Sequence, residues 1–262
     1  ILNILNHQSL IATKAARICY AAEGDGIMEF GLRRAQGPDA GIYGARAAVI
    51  GGCAGTSNVL TGQMFDVPVM GTHAHSWIMS FDDEYTAFYT YAKLYPMACT
   101  LLVDTYDTLN SGVPNAIKVF KQIKNGGIEL KNYGIRLDSG DLAYLSKKAR
   151  KMLDDAGFKD ATITASNDLD EFLIASLKMQ GAEITNWGVG TNLITSKDCP
   201  SFGGVYKLAA IMEDGENFTP KIKLSDNSEK ITNPGNKKIY RIYEKENNKI
   251  KADLICLENE IF

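Results

Sequence analysis

From about Ile27 to Leu193, short apolar runs alternate with longer stretches in which apolar residues recur every three or four positions. A short apolar run flanked by turn residues reads as a strand, and a 3.6-residue period reads as one face of a helix. The pattern predicts strands at Ile27 to Phe30, Val67 to Met70, Thr100 to Val103, Tyr133 to Leu137, Ala161 to Ala165 and Ile184 to Trp187. Asp141 to Ala156 carries Leu142, Leu145, Ala149, Met152 and Leu153 on one stripe, with Gly157 placed to stop the helix. Asp168 to Gln180 repeats the arrangement, with Asp168 and Glu171 at capping-box spacing and Gly181 as its stop. An amphipathic helix is under way at once through Ile1, Leu5, Leu10, Ile11, Ala15 and Ile18, so the chain is expected to be cut from something longer.

Strand then helix, repeated, predicts parallel strands covered by helices, either doubly wound or barrel-like. Past about Phe202 the character changes. Val205 to Met212, Lys221 to Leu224, Lys238 to Tyr243 and Lys249 to Leu257 are short and alternating, separated by turn sequences at Glu213 to Glu216 and Asn233 to Asn236. They predict antiparallel hairpins. The expected organisation is a catalytic α/β domain over 1–204, truncated on its N-terminal side, and a β-rich segment over 205–262 belonging to a second, incomplete domain.

Composition narrows the function classes. Hydrophobic residues at 45% and charged residues at 23% give the ordinary globular balance, so disorder is not expected. A formal charge of −3 argues against a general nucleic-acid or membrane-surface binder, so any anion site must be local. The five cysteines are widely spaced with no CxxC pair, as in a reduced cytoplasmic protein. No apolar run is long enough to span a bilayer and no signal peptide is visible.

In parallel α/β folds the site is built from loops at the carboxyl ends of the strands. Here each end delivers polar groups: Arg33 and Arg34; His73 and His75; Asp104, Thr105 and Asp107; Arg136, Asp138, Ser139 and Asp141; Ser166, Asn167 and Asp168; Gly188, Gly190, Thr191 and Asn192. Taken singly, Asp138, Ser139, Asp141 and Asp168 also read as helix N-caps, the arginines as solvated charges, and Gly188 and Gly190 as turn formers. One pocket lined by all six ends explains their agreement. A Gly-x-Gly-Thr-Asn loop lets backbone N–H groups approach phosphate, with a following helix adding partial positive charge. Arginines supply paired donors for phosphate or carboxylate, carboxylates suit ribose hydroxyls or hydrated Mg²⁺, and Phe30 offers a flat face for an aromatic ring. His73 and His75 are spaced as in metal-dependent barrel hydrolases, but the only other histidine is His7, on the opening helix. A buried histidine donating to a backbone carbonyl and a nucleophilic histidine are the other readings.

The ordered strings Phe30-Gly31-Leu32-Arg33-Arg34-Ala35, Gly71-Thr72-His73-Ala74-His75-Ser76, Arg136-Leu137-Asp138-Ser139-Gly140-Asp141, Ala165-Ser166-Asn167-Asp168, Gly188-Val189-Gly190-Thr191-Asn192-Leu193 and Phe202-Gly203-Gly204-Val205-Tyr206-Lys207 resemble the signature of nicotinate phosphoribosyltransferases. The resemblance implies a type II phosphoribosyltransferase fold, an irregular parallel α/β barrel with part of a second, smaller β-rich domain. It implies ATP-assisted transfer of phosphoribosyl from phosphoribosyl pyrophosphate (PRPP) to nicotinate, with Mg²⁺, in a cytoplasmic homodimer of NAD biosynthesis. By the same resemblance Phe30 stacks on the pyridine ring, Arg33 lies near phosphate, and Arg136 and Thr100 lie near the nicotinate carboxylate. Asp138, Ser139, Ser166 and Asn167 match the ribose site and its flank, Gly188, Gly190, Thr191 and Asn192 the 5′-phosphate loop, and His75 a histidine phosphorylated by ATP. Nicotinamide-using relatives carry an acid in the stretch matched to Gln63 and Met64, where no acid is seen until Asp66, which favours the acid substrate. Relatives have further chain on both sides, including an aromatic that crosses a dimer interface. A nicotinamide-using transferase and a metal-dependent hydrolase at His73 and His75 are the alternatives.

Overall fold

The computed structural model describes residues 1–213 and 215–261. Two compact units divide it, Asn3–Phe202 and the chain from Gly203 onward. In the first, α1 (Leu2–Ala21) leads to β1 (Gly26–Glu29), α2 (Pro38–Ile50), β2 (Gly55–Thr56), α3 (Val59–Phe65), α4 (His75–Met79), α5 (Glu84–Leu94), β3 (Thr100–Leu102) and α6 (Val113–Asn125). Then come β4 (Gly134–Leu137), α7 (Leu142–Asp155), β5 (Thr162–Ala165), α8 (Glu171–Met179), β6 (Asn186–Val189) and the single turn α9 (Thr191–Ile194).

All six strands pair in parallel in the order β2-β1-β6-β5-β4-β3. That order is the chain order read around a ring, with β6 joined to β1 and one opening between β2 and β3. The expected strand at Val67 to Met70 lies at this opening but does not form a strand. It makes a single parallel bridge, Val69 to Thr56, with Thr56 N–H donating to Pro68 O at 3.0 Å and Met70 N–H to Thr56 O at 2.9 Å. The strand in its place is the two-residue β2, too short and too poor in apolar residues to leave a periodic signal. The last strand also sits two residues later than its apolar run predicts, at Asn186–Val189.

The helices form for local reasons. Asp141 caps α7 by accepting the Tyr144 N–H at 2.9 Å, and Leu142, Ala149 and Leu153 are buried beneath it. Gly157, at φ 91°, ends α7 as Phe158 N–H returns to Leu153 O, the arrangement in which glycine escapes the Cβ penalty of the left-handed region. α8 ends the same way at Gly181. Its cap, however, is Asp170, which accepts Leu173 N–H at 2.8 Å, and not the predicted Asp168, which lies in the left-handed turn before it. Trp187, Phe88, Phe120, Ile135 and Leu137 are fully buried between ring and helices, each contributing roughly 1.5–3 kcal/mol through loss of apolar hydration.

The second unit contains two antiparallel pairs: β7 (Ala210–Met212) with β8 (Phe218–Pro220), and β9 (Lys237–Tyr243) with β10 (Ile250–Leu257). The hairpin of β9 and β10 matches its alternating pattern. The predicted strand at Lys221 to Leu224 is displaced to Phe218–Pro220, and the predicted turn at Glu213 to Glu216 includes Asp214, which lies outside the described residues.

Candidate active site

A cavity of about 500 Å³ opens at the carboxyl rim of the ring. Phe30, Arg33, His75, Arg136, Asp138, Ser166, Asn167, Gly188, Gly190 and Thr191 all line it. These come from four strand ends and from the segment that fills the opening. Three residues expected here stand outside the lining. Thr100 opens β3 at the end away from the rim, where it pairs with Gly134; Ser139 is exposed and donates to Asp104; Asn192 is buried. Gln63 and Met64, the stretch matched to the acid of nicotinamide-using relatives, lie on α3 outside the lining, whereas Ser57, just past β2, is part of it. The helix after the glycine loop is one turn, too short to supply the dipole expected of it.

Arg136 is the hub. Its Nε donates to Ser166 Oγ at 2.8 Å, one terminal nitrogen to Thr72 Oγ1 at 2.8 Å and the other to Asp138 Oδ1 at 2.8 Å. The fan fixes the guanidinium with its carbon 5.6 Å from the centre of the Phe30 ring, a cation–π geometry. Burial opposes ionisation of Asp138, but hydrogen bonds from Ser166 and Arg136 outweigh it and hold the carboxyl below its ordinary range. Phe30 is backed by glycine. A Cβ on Gly188 would come within 2.6 Å of two Phe30 ring carbons, and one on Gly190 within 3.2 Å of the Phe30 carbonyl.

The two histidines differ in kind. His73 is buried, with Nε2 accepting the Leu102 N–H at 3.2 Å, and burial pushes its pKa down to about 4. That makes it a neutral structural histidine whose ring nitrogen is already engaged, which removes the basis for a metal shared with His75; among the described residues no group of three or more His, Cys, Asp and Glu is arranged to hold a metal. His75 opens α4, 39% exposed, with Nδ1 at 3.0 Å from Thr105 Oγ1. Its Nε2 faces two carboxylates, Asp138 Oδ2 at 3.8 Å and Asp104 Oδ1 at 4.0 Å.

Sequence reading left Asp104 without a role. Its side chain is 2% exposed; Oδ2 accepts the Asp138 N–H at 2.9 Å and Ser139 Oγ at 2.6 Å, while Oδ1 has no hydrogen-bond partner. The signal available was an acid just past a strand, next to the strand ending in Arg136-Leu137-Asp138. Glu29 was missed because it lies within a strand: fully buried, it accepts the Gly31 N–H and, at 2.6 Å, the Thr56 hydroxyl, tying the Phe30 turn to β2. Desolvation raises its pKa despite both bonds.

The ring of parallel strands, with an arginine hub, an aromatic face and a glycine loop on one rim, is a parallel α/β barrel with a polar cavity at its carboxyl end. The sequence profile of the Nicotinate phosphoribosyltransferase (NAPRTase) family matches residues 26–252. The chain is 56% identical over 260 residues to a nicotinate phosphoribosyltransferase of Bacillus subtilis (strain 168), covering 99% of this chain and 52% of that protein. It is 33% identical over 296 residues to the Homo sapiens nicotinate phosphoribosyltransferase, covering 92% and 54%. The crystal structure of human Nicotinic Acid Phosphoribosyltransferase superposes with a TM-score of 0.81 at 30% identity, over 100% of this chain and 58% of that one. A nicotinate-nucleotide pyrophosphorylase from Pyrococcus furiosus gives 0.71 at 25% identity, over 100% and 61%. The chain belongs to the nicotinate phosphoribosyltransferase family. It spans about half the length of the curated relatives it matches.

Proposed function

We propose that this chain supplies the catalytic core of an enzyme that transfers phosphoribosyl from PRPP to nicotinate, giving nicotinate mononucleotide and pyrophosphate, with ATP as co-substrate. The observation that carries the reading is the single cavity in which Phe30, Arg136, Asp138, His75 and the Gly188 to Thr191 loop meet. The pyridine nitrogen attacks C1 of the ribose as the bond to pyrophosphate breaks and the leaving group takes the electron pair. The transition state is oxocarbenium-like, so alignment and charge stabilisation do most of the work. Phe30 provides the face on which the ring lies, and Arg136 has N–H donors to spare for the carboxylate. Asp138 and Ser166 are placed for ribose hydroxyls, and Gly190 and Thr191 for the 5′-phosphate, with Arg33 nearby.

Phosphorylation of His75 by ATP completes the reading. A neutral ring nitrogen attacks the γ-phosphorus, ADP leaves with the electron pair, and later hydrolysis restores the histidine. Thr105 on Nδ1 holds the ring with Nε2 turned toward the two carboxylates. Mg²⁺ fits the same corner, since Asp104 Oδ1 is a buried, unpartnered carboxylate oxygen beside Asp138. Those two acids would hold it, and when bound it would neutralise charge on pyrophosphate. The resemblance also supports a cytoplasmic homodimer; no helix among the described residues is long and apolar enough to cross a membrane.

The test is a product assay with nicotinate, nicotinamide or quinolinate and PRPP, with and without ATP. Nicotinate mononucleotide formed from nicotinate and stimulated by ATP is expected; turnover of nicotinamide alone would overturn the substrate assignment.

A further inference from the structure

Asn192 follows the glycine loop, and the resemblance puts it among the phosphate ligands. Its side chain is engaged elsewhere. It is 3% exposed, and Nδ2 donates to the backbone carbonyls of Asp168 at 2.8 Å and Leu169 at 3.0 Å. Chemistry fixes the amide's orientation, because exchanging its nitrogen and oxygen would set an acceptor against two carbonyl oxygens.

The segment it grips is strained. Asn167 has φ 98° and Asp168 φ 42°, consecutive non-glycine residues in the region where Cβ meets the backbone. Such a turn persists only where its surroundings over-determine it. Ser166 N–H is anchored on Leu137 O at 2.9 Å, and past the turn the Asp170 carboxylate holds Leu173 N–H at 2.8 Å. Between these anchors, Asn192 supplies the grip. Both strained residues line the cavity, whereas Asn192 does not.

We infer that Asn192 is a positioning residue that holds the Asn167–Asp168 turn in its left-handed conformation at the sugar end of the cavity, rather than a ligand of the phosphate. What the turn contacts rests on the phosphoribosyl reading; the grip does not.

Two measurements on the full chain test this, with Asn192→Ala and Asn192→Asp compared with the parent. Hydrogen–deuterium exchange without ligands is expected to quicken about tenfold at the Ser166 amide, which donates to Leu137 O at the foot of the turn, since one buried and one half-buried hydrogen bond to the turn's carbonyls are lost. Asn192→Asp is the more affected, because it turns an acceptor toward both carbonyls. In steady-state assays the KM for PRPP is expected to rise about tenfold, with the KM for nicotinate within about twofold, as Phe30 and Arg136 are held by other bonds. Glycine accepts positive φ without strain, so Asn192→Ala is expected to cost less in an Asp168→Gly background, a coupling that a phosphate ligand would not show. A raised KM for PRPP with unchanged exchange in the ligand-free variants would overturn the inference. If the parent shows no PRPP-dependent turnover, the phosphoribosyl reading fails, while the exchange data still decide the role of Asn192.

Discussion

His73 Nε2 accepts the Leu102 N–H at 3.2 Å, so a side chain occupies the strand edge that faces the one opening in the ring. The bond requires an unprotonated Nε2. Burial, reinforced by the charges of Arg136 and His75 and opposed only by the Ala74 carbonyl, keeps the ring neutral down to about pH 4. An unfolded chain takes up this proton near pH 6.5. The contribution of His73 to stability is therefore complete above pH 6.5 and is lost as pH falls from there through 4, by about 3 kcal/mol in all. Urea unfolding at stepped pH on the parent and on His73→Gln checks this. The variant is expected to have the flatter profile, and equal slopes would refute the assignment.

Gly188 lies against the ring of Phe30. In Gly188→Ala the new methyl would have to displace the aromatic ring that the proposed substrate lies on. The KM for nicotinate is expected to rise by tenfold or more with little change in melting temperature, because the affected wall borders a cavity and can give. A variant with parental KM would show that Phe30 does not bear on the ring.

His75 is the proposed phosphoryl acceptor. His75→Ala is expected to abolish incorporation of label from γ-labelled ATP and to remove ATP stimulation, leaving a slow ATP-independent transfer. Full labelling of the variant would move the acceptor to another residue.

Ser57 is the residue past β2 that lines the cavity. A carboxylate there would share the cavity with the nicotinate anion at low effective dielectric. Ser57→Asp is expected to lower kcat/KM for nicotinate by at least tenfold, with nicotinamide less affected. Equal losses on the two substrates would mean that the residue does not meet the ring substituent.

Much of this site could be read from the chain alone, for a physical reason. Strand ends such as Arg136-Leu137-Asp138 and Ala165-Ser166-Asn167 place reactive residues next to apolar runs that periodicity detects. β2 escaped detection because two residues carry no period, and with it went Ser57. Thr100 opens its strand where the pattern predicts, at the end of the ring away from the rim; its expected place near the carboxylate came from the resemblance alone. Asn192 sits in a recognisable motif, but which way an amide turns depends on carbonyls more than twenty positions earlier, and no local signal carries that. Asp104 was visible as an acid after β3; its buried, unpartnered oxygen was not.

The main chain of Phe30 donates to Val189 O at 2.8 Å, its ring rests on Gly188 and its carbonyl on Gly190. A heterocycle and a sugar phosphate settling on this rim would therefore lean on the same few atoms from two sides. A side chain at either glycine would push on the wall that serves both.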